Sequence, residues 1–208
     1  MKLYYAPLSS NSRRVTLTAH LLGTKFDGDI INLGRAEDRV RLTAINPNNK
    51  IPVLVDGDFV LWESHAIMQY LCDKTGGSVA ATLYPHDLRA RAEVNRWLFW
   101  CAAHLAPVVG PINFEKMWKK FVTGGDADPA IVARYETFFH ASAKVLDAHL
   151  TDRSFVAGRD LTLADLSIAA TLMFAEKTGL PLAAYPRVAA FMDRAQKLDA
   201  WKATDLVA

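Results

Sequence analysis

Glu63 and Ser64 stand where a β-rich run, Phe59-Val60-Leu61-Trp62, gives way to a helical pattern opening with Ile67, Tyr70 and Leu71. A helix N-terminus draws a carboxylate and an adjacent glutamate draws an ammonium group. The pair is therefore chemically suited to the zwitterionic end of a free amino acid. Upstream, Pro52 stands at the mouth of a second short run, Val53-Leu54-Val55, where a missing N–H is tolerated. An X-Pro bond at a tight strand entry is a candidate cis bond. Such a bond leaves the Ile51 N–H and C=O to pair with an extended, peptide-like ligand. A third set of polar groups, Ser9-Ser10-Asn11-Ser12, forms a cap-rich turn before the first helical pattern.

The elements that must position these groups follow from periodicity and breakers. Lys2 to Ala6 reads as a strand broken by Pro7, and Val15, Leu17, Leu21 and Leu22 carry a helix ended by Gly23. A second strand over Phe26 to Leu33 makes this a parallel crossover unit. A short charged helix over Ala36 to Ala44 precedes the loop at Asn46-Pro47, and a hairpin turns through Asp56-Gly57-Asp58. With the Ser64 helix the order is βαβαββα over residues 1–75. Residues 76–86, opening with Gly76-Gly77-Ser78 and reaching Pro85, have the composition of a linker. Residues 87–208 then read as all-helical. A long helix to about residue 121 is expected to kink near Pro107 and Gly110-Pro111, and Pro129 opens another that runs to about Leu150. Thr162 and Asp165 have capping-box spacing ahead of a helix apolar almost all round, which must be central and buried. The expected fold class is α/β plus all-α.

Bulk properties narrow the function classes. The chain has 208 residues, 51% of them hydrophobic, which supports a buried core. Lys+Arg 24 against Asp+Glu 22 leaves +2, so nucleic acid is not an expected partner. Cys72 and Cys101 lie in different helical patterns and imply no disulfide framework, which fits a reducing compartment. No signal-like run opens MKLYYAPLSS, and no window is expected to span a membrane, so the expected localisation is cytoplasmic. The six histidines include no i, i+4 pair, no metal site is expected, and P-loop, dinucleotide and G-x-S-x-G signatures are absent.

In sequence, NPNNKIPVL followed by the hairpin and ESHAIMQYL resembles the glutathione-binding half of the glutathione transferases. PLSSNSRRV is similar to the P-x-S-x-N-x-x-R-V pattern of serine-type members, the phi-like, theta-like and related bacterial groups. The resemblance implies a thioredoxin-like first domain, a cis Pro52, an Ile51 backbone paired with the cysteinyl part of glutathione, and Glu63-Ser64 on its γ-glutamyl end. A thioredoxin-like fold places a C-x-x-C pair where this chain has serines, so the sulfur must come from the ligand. Matched residue by residue, the activating serine is Ser9, while Ser10 and Ser12 compete for the role and helix capping is the alternative for all three. Asn11 is a second donor or a cap. Lys50 faces the glycine carboxylate or is a solvated loop cation. Many relatives hold that glycine end with a histidine absent here; its place is near Glu37-Asp38, with Arg35, Arg39 and Arg41 available instead.

The resemblance also implies an electrophile pocket, with Phe114, Met117 and Trp118 the candidates to line it. Trp97, Trp100 and Cys101 share a helical face, and aromatics at such spacing are more often core. Gly158 to Asp165 resembles the family's capping motif, whose role is folding. The implied activity uses glutathione as co-substrate, with no tightly bound cofactor, against a small apolar electrophile, in a homodimer. Two rivals remain: a glutathione-dependent disulfide or peroxide reductase on the same scaffold, and a non-enzymatic binding or regulatory relative.

Overall fold

The computed structural model describes residues 1–205, so the last three residues of the expected helical domain lie outside the described residues. The chain forms two compact units, one of Met1–His86 with the residues from Lys197 onward, the other of Asp87–Gln196.

In the first unit the elements run β1 (Lys2–Tyr5), α1 (Ser10–Leu21), β2 (Asp27–Ile30), α2 (Ala36–Thr43), β3 (Val53–Asp56), β4 (Phe59–Trp62), α3 (Ser64–Thr75) and α4 (Gly77–Leu83). The sheet order is β2-β1-β3-β4, with β1 parallel to β2 and antiparallel to β3, and β3 antiparallel to β4. This is the expected mixed sheet with its crossover. Gly57, at φ 64, gives the β3–β4 hairpin the left-handed residue its two-residue turn requires. Leu3, Val53 and Leu54 from the sheet are buried, as are Val15 and Leu17 of α1 and Ile67, Met68 and Leu71 of α3. α1 and α3 pack against each other.

Strand β2 ends earlier than expected, because polar side chains capture the chain beyond Ile30. The Asn32 carbonyl oxygen accepts from Gly34 N–H at 2.9 Å, and Asn32 N–H donates to Asp38 at 2.9 Å. The stretch read as a linker, 76–86, contains α4 and is compact with the first unit. Its Gly-Gly composition marks a bend, with φ of 65° and 81° at Gly76 and Gly77, while Ala80 and Leu83 supply a buried helical face.

In the second unit α5 (Leu88–Trp100), α6 (Ala106–Asn113) and α7 (Lys119–Thr123) form one continuous helical run of 36 residues. Two wide π turns, Cys101–Leu105 and Phe114–Trp118, interrupt it. In the first, Ala106 N–H reaches back to the Cys101 carbonyl just before Pro107, whose ring would crowd the carbonyl four residues back in a regular helix. The expectation that no window approaches a membrane span needs correcting, since by length and composition alone this run is sufficient. Its Val94, Trp97, Leu98, Cys101, Leu105, Val109 and Ile112 are buried inside the unit, where α5 packs on α9 and α6 on α8.

Four further helices follow: α8 (Pro129–His149), α9 (Leu163–Thr171), α10 (Ala175–Thr178) and α11 (Pro186–Lys197). Every residue of α9 is buried, as its all-round apolar pattern requires. Asp165, only 1% exposed, ties the entry of this helix to the preceding loop. Its carboxylate accepts from the N–H and hydroxyl of Thr162 and from the N–H of Val156, each at 2.8 Å. Burial pushes the Asp165 carboxyl up to about 6, against the opposing pull of these donors.

The last helix, α12 (Asp199–Ala203), belongs to the first unit and packs on α1. Arg13 makes the joint. Its guanidinium donates to the Trp201 carbonyl at 2.7 Å and to Asp205 at 3.1 Å, and lies 4.6 Å from the Trp201 ring centroid.

Candidate active site

The register of the sheet gathers the polar groups singled out above. Tyr4 pairs with Val53, and Val53 pairs with Trp62, so these three lie abreast. Ser9 follows the end of β1, Ile51-Pro52 precede β3, and Glu63-Ser64 follow β4. All therefore emerge at one end of the sheet, beside the N-termini of α1 and α3.

The serine cluster divides by geometry. Ser9 is the N-cap of α1, in extended conformation, and its Oγ accepts from Ser12 N–H at 3.3 Å. Because that contact uses the oxygen, the Ser9 hydroxyl hydrogen remains to donate. Ser12 is 1% exposed, and its Oγ accepts from Ala6 N–H at 3.2 Å, pinning the loop that carries Ser9. Ser10 is half-buried and Asn11 exposed on the first turn. The first turn of α1 itself carries no acidic residue to offset its positive end.

The loop before β3 is shaped by Asn46, which is 2% exposed. Its amide donates to the Lys50 carbonyl at 2.7 Å and its oxygen accepts from Asn48 N–H at 3.0 Å. This side chain bridges the turn and delivers the chain to Ile51, whose bond to Pro52 is cis as expected. Lys50 itself is exposed.

Glu63 is exposed at φ 73°, ψ 109°, a backbone state rare for a non-glycine residue and concentrated at functional positions. Ser64, the first residue of α3, is buried, and Arg14 of α1 lies against it. The Arg14 guanidinium donates to Ser64 Oγ at 3.4 Å and to His65 Nε2 at 2.6 Å. Burial, with the neighbouring Arg14 charge, lowers the His65 pKa to about 3, so its imidazole is neutral.

Arg14 occupies the R of the P-x-S-x-N-x-x-R-V pattern, but nothing in the sequence pairs it with Ser64 or His65. The available signal was an arginine on the α1 face shared by Leu17, Thr18 and Leu21, where a cation has to find partners. Of the arginines near Glu37-Asp38, Arg41 is committed to Asp29 and Asp38, and Arg39 Nε donates to the Leu33 carbonyl. Arg35 is exposed as the N-cap of α2.

Phe114, Met117 and Trp118 lie in the second unit, on its second π turn. Phe114 is 39% exposed and Met117 and Trp118 are half-buried, Trp118 meeting Phe174 edge to face at 5.9 Å. Trp97 and Cys101, by contrast, are core. Among the described residues no group of three or more His, Cys, Asp or Glu side chains is placed to hold a metal ion.

Comparison with known proteins places this geometry. Residues 3–78 match the family description "Glutathione S-transferase, N-terminal domain", and residues 129–194 match "Glutathione S-transferase, C-terminal domain". A solved glutathione S-transferase III in apo form is 31% identical, with 99% of this chain and 95% of that one covered and a TM-score of 0.84. Glutathione transferase F7 from Populus trichocarpa is 26% identical, covering 98% of this chain and 96% of its own, with a TM-score of 0.90. A glutathione S-transferase-I solved with lactoylglutathione is 26% identical, covers 100% of this chain and 99% of its own, and has a TM-score of 0.86. Two domain matches in the right order and a likeness along nearly the full length make this chain a member of the glutathione transferase family.

Proposed function

We propose that this protein is a serine-type glutathione transferase that ionises the thiol of bound glutathione for attack on a small apolar electrophile. The observation that carries the reading is the convergence of the Ser9 hydroxyl, the Ile51-Pro52 backbone and the Glu63-Ser64 pair at one end of the sheet. In this reading Glu63 takes the γ-glutamyl ammonium, and Ser64 with the first N–H groups of α3 takes its carboxylate. The Ile51 backbone pairs with the cysteinyl unit, which sets its sulfur at the N-terminus of α1. There the Ser9 hydroxyl and the positive helix end favour thiolate over thiol. Catalysis comes from a lowered thiol pKa and from orientation, and glutathione is consumed as co-substrate. Lys50 or Arg35 supplies a cation for the glycine carboxylate, Asn11 a second donor near the sulfur, and Phe114, Met117 and Trp118 an apolar lining for the electrophile. The working form is a cytoplasmic homodimer.

The test compares turnover of a chlorinated nitroaromatic with that of a small dialkyl disulfide, each with glutathione. Faster conjugation supports the transferase. Disulfide reduction without conjugation assigns the protein to glutathione-dependent reduction, and inertness towards both removes the enzymatic reading.

Binding gives a separate prediction. Replacing Glu63 by Ala should weaken glutathione by roughly 1.5–3 kcal/mol, the scale of a charge-assisted hydrogen bond. Glu63 is exposed, so thermal stability should be nearly unchanged. Calorimetry giving the wild-type affinity would place the γ-glutamyl group elsewhere.

A further inference from the structure

We propose that Arg14 is the positioning residue of the amino-acid subsite, holding Ser64 and His65 so that a ligand carboxylate meets the Ser64 hydroxyl and the N-terminus of α3. The inference rests on the glutathione reading above and adds a residue to it that does not itself touch the ligand.

Arg14 is 2% exposed, and taking a guanidinium out of water costs several kcal/mol unless its donors are used. On α3 its partners are the side chains of the first two helical residues, Ser64 Oγ at 3.4 Å and His65 Nε2 at 2.6 Å. Both accept from the guanidinium, which ties α1 to the first turn of α3. The direction of the Ser64 contact matters as well. When Oγ accepts from Arg14, the hydroxyl hydrogen points away from the guanidinium and is available to an anion. His65 contributes by being neutral, since a protonated imidazole has no lone pair on Nε2 for Arg14 to meet.

The neighbouring Arg13 provides an internal contrast. It is also buried and on the same helix, but it points to Trp201 and Asp205, so it measures what losing a buried arginine does in general.

The experiment measures dissociation constants for two ligands, glutathione and its analogue with a 4-aminobutyryl group in place of γ-glutamyl, which lacks only the α-carboxylate. Wild type, Arg14→Met, Arg14→Lys and Arg13→Met are compared. Arg14→Met should weaken glutathione ten- to a hundredfold and the analogue less than threefold, with Arg14→Lys in between. Arg13→Met should lower the melting temperature and leave the ratio of the two affinities at its wild-type value. Equal losses on both ligands, or undiminished glutathione affinity in Arg14→Met, would overturn the role of Arg14 while leaving the glutathione site standing. A wild-type protein that binds no glutathione would remove the underlying reading and this inference with it.

Should Arg14→Met not fold, Arg14→Lys and the unmodified protein still decide. In wild type, the ¹⁵N resonance of His65 Nε2 should move on adding glutathione and stay in place with the analogue. An unmoved resonance at saturating glutathione would overturn the proposal.

Discussion

Asp165→Ala should lower the stability of the protein by about 2–4 kcal/mol at neutral pH, because it leaves two backbone N–H groups and a hydroxyl without their shared acceptor. For a chain of this size that is roughly a 5–15 °C fall in melting temperature. Activity per folded molecule should hardly change. Normal melting with lost turnover would overturn the structural reading of Asp165. Acidity gives the same residue a signature of its own. Its carboxyl is raised to about 6 in the folded protein, from the ordinary 3.8. The native state therefore holds the proton more tightly than the unfolded chain. The resulting stabilisation is full below about pH 4, is lost as pH rises towards 6, and amounts to at most about 3 kcal/mol. Denaturant titrations of wild type and Asp165→Asn between pH 4 and 7 should show this slope in the wild type and lack it in the variant. Parallel curves would mean that the carboxyl titrates near its unfolded value.

Ser9→Ala should raise the pKa of bound glutathione by one to two units, equivalent to about 1.4–2.7 kcal/mol. The shift should be partial, because the N-terminus of α1 stays in place. Turnover near neutral pH should fall roughly ten- to a hundredfold and recover in part as pH rises. An S-alkylated glutathione, with no thiolate to stabilise, should bind nearly as well as before. Loss of the cap to Ser12 N–H adds about 1 kcal/mol of destabilisation, so rates are referred to folded protein. Ser12→Ala should act differently, since its oxygen is occupied by Ala6 N–H inside the unit. It should cost stability and leave the thiol titration alone. Thiolate absorbance of the binary complex against pH, for single variants at positions 9, 10 and 12, makes the comparison. A titration moved by Ser10→Ala or Ser12→Ala but not by Ser9→Ala would reassign the serine.

The legible parts of this molecule are those in which local chemistry dictates geometry. The Asp56-Gly57-Asp58 turn and the all-round apolar pattern after Thr162 each leave one structural option, and the structure takes it. β2 ends early because Asn32 folds the chain onto the Gly34 N–H and is itself held by Asp38 of α2, a local polar turn that the apolar Ile31 and Leu33 on either side conceal. The helix within 76–86 was hidden by its two glycines, which mark the bend between α3 and α4 and not a loss of structure. The continuous helix from Leu88 to Thr123 widens into a π turn just before Pro107, a response that periodicity at 3.6 residues does not anticipate, while Pro111 lies inside α6. In the candidate site, the polar residues could be named from the sequence but their hydrogen-bond partners could not. Ser9, Ser10 and Ser12 are equivalent as letters, and only burial with the Ala6 contact sets Ser12 apart. Arg14 is a position of the P-x-S-x-N-x-x-R-V pattern, but its partners Ser64 and His65 are fifty residues away and only the fold shows them beside it.

The joint between Arg13 and the residues around Trp201 has a consequence for how the protein is made. A ribosome releases the sheet and α1 to α4 long before α12 exists, and at about 5–20 residues per second the wait from His86 to Trp201 is roughly 6–23 s. During that interval the nascent first unit carries a guanidinium designed to be enclosed, with neither the Trp201 carbonyl nor Asp205 yet present to receive it. The N-terminal unit is thus a vessel sealed last at its own beginning. A stalled chain ending before Asp199 should be cut by protease around α1 far faster than the released protein.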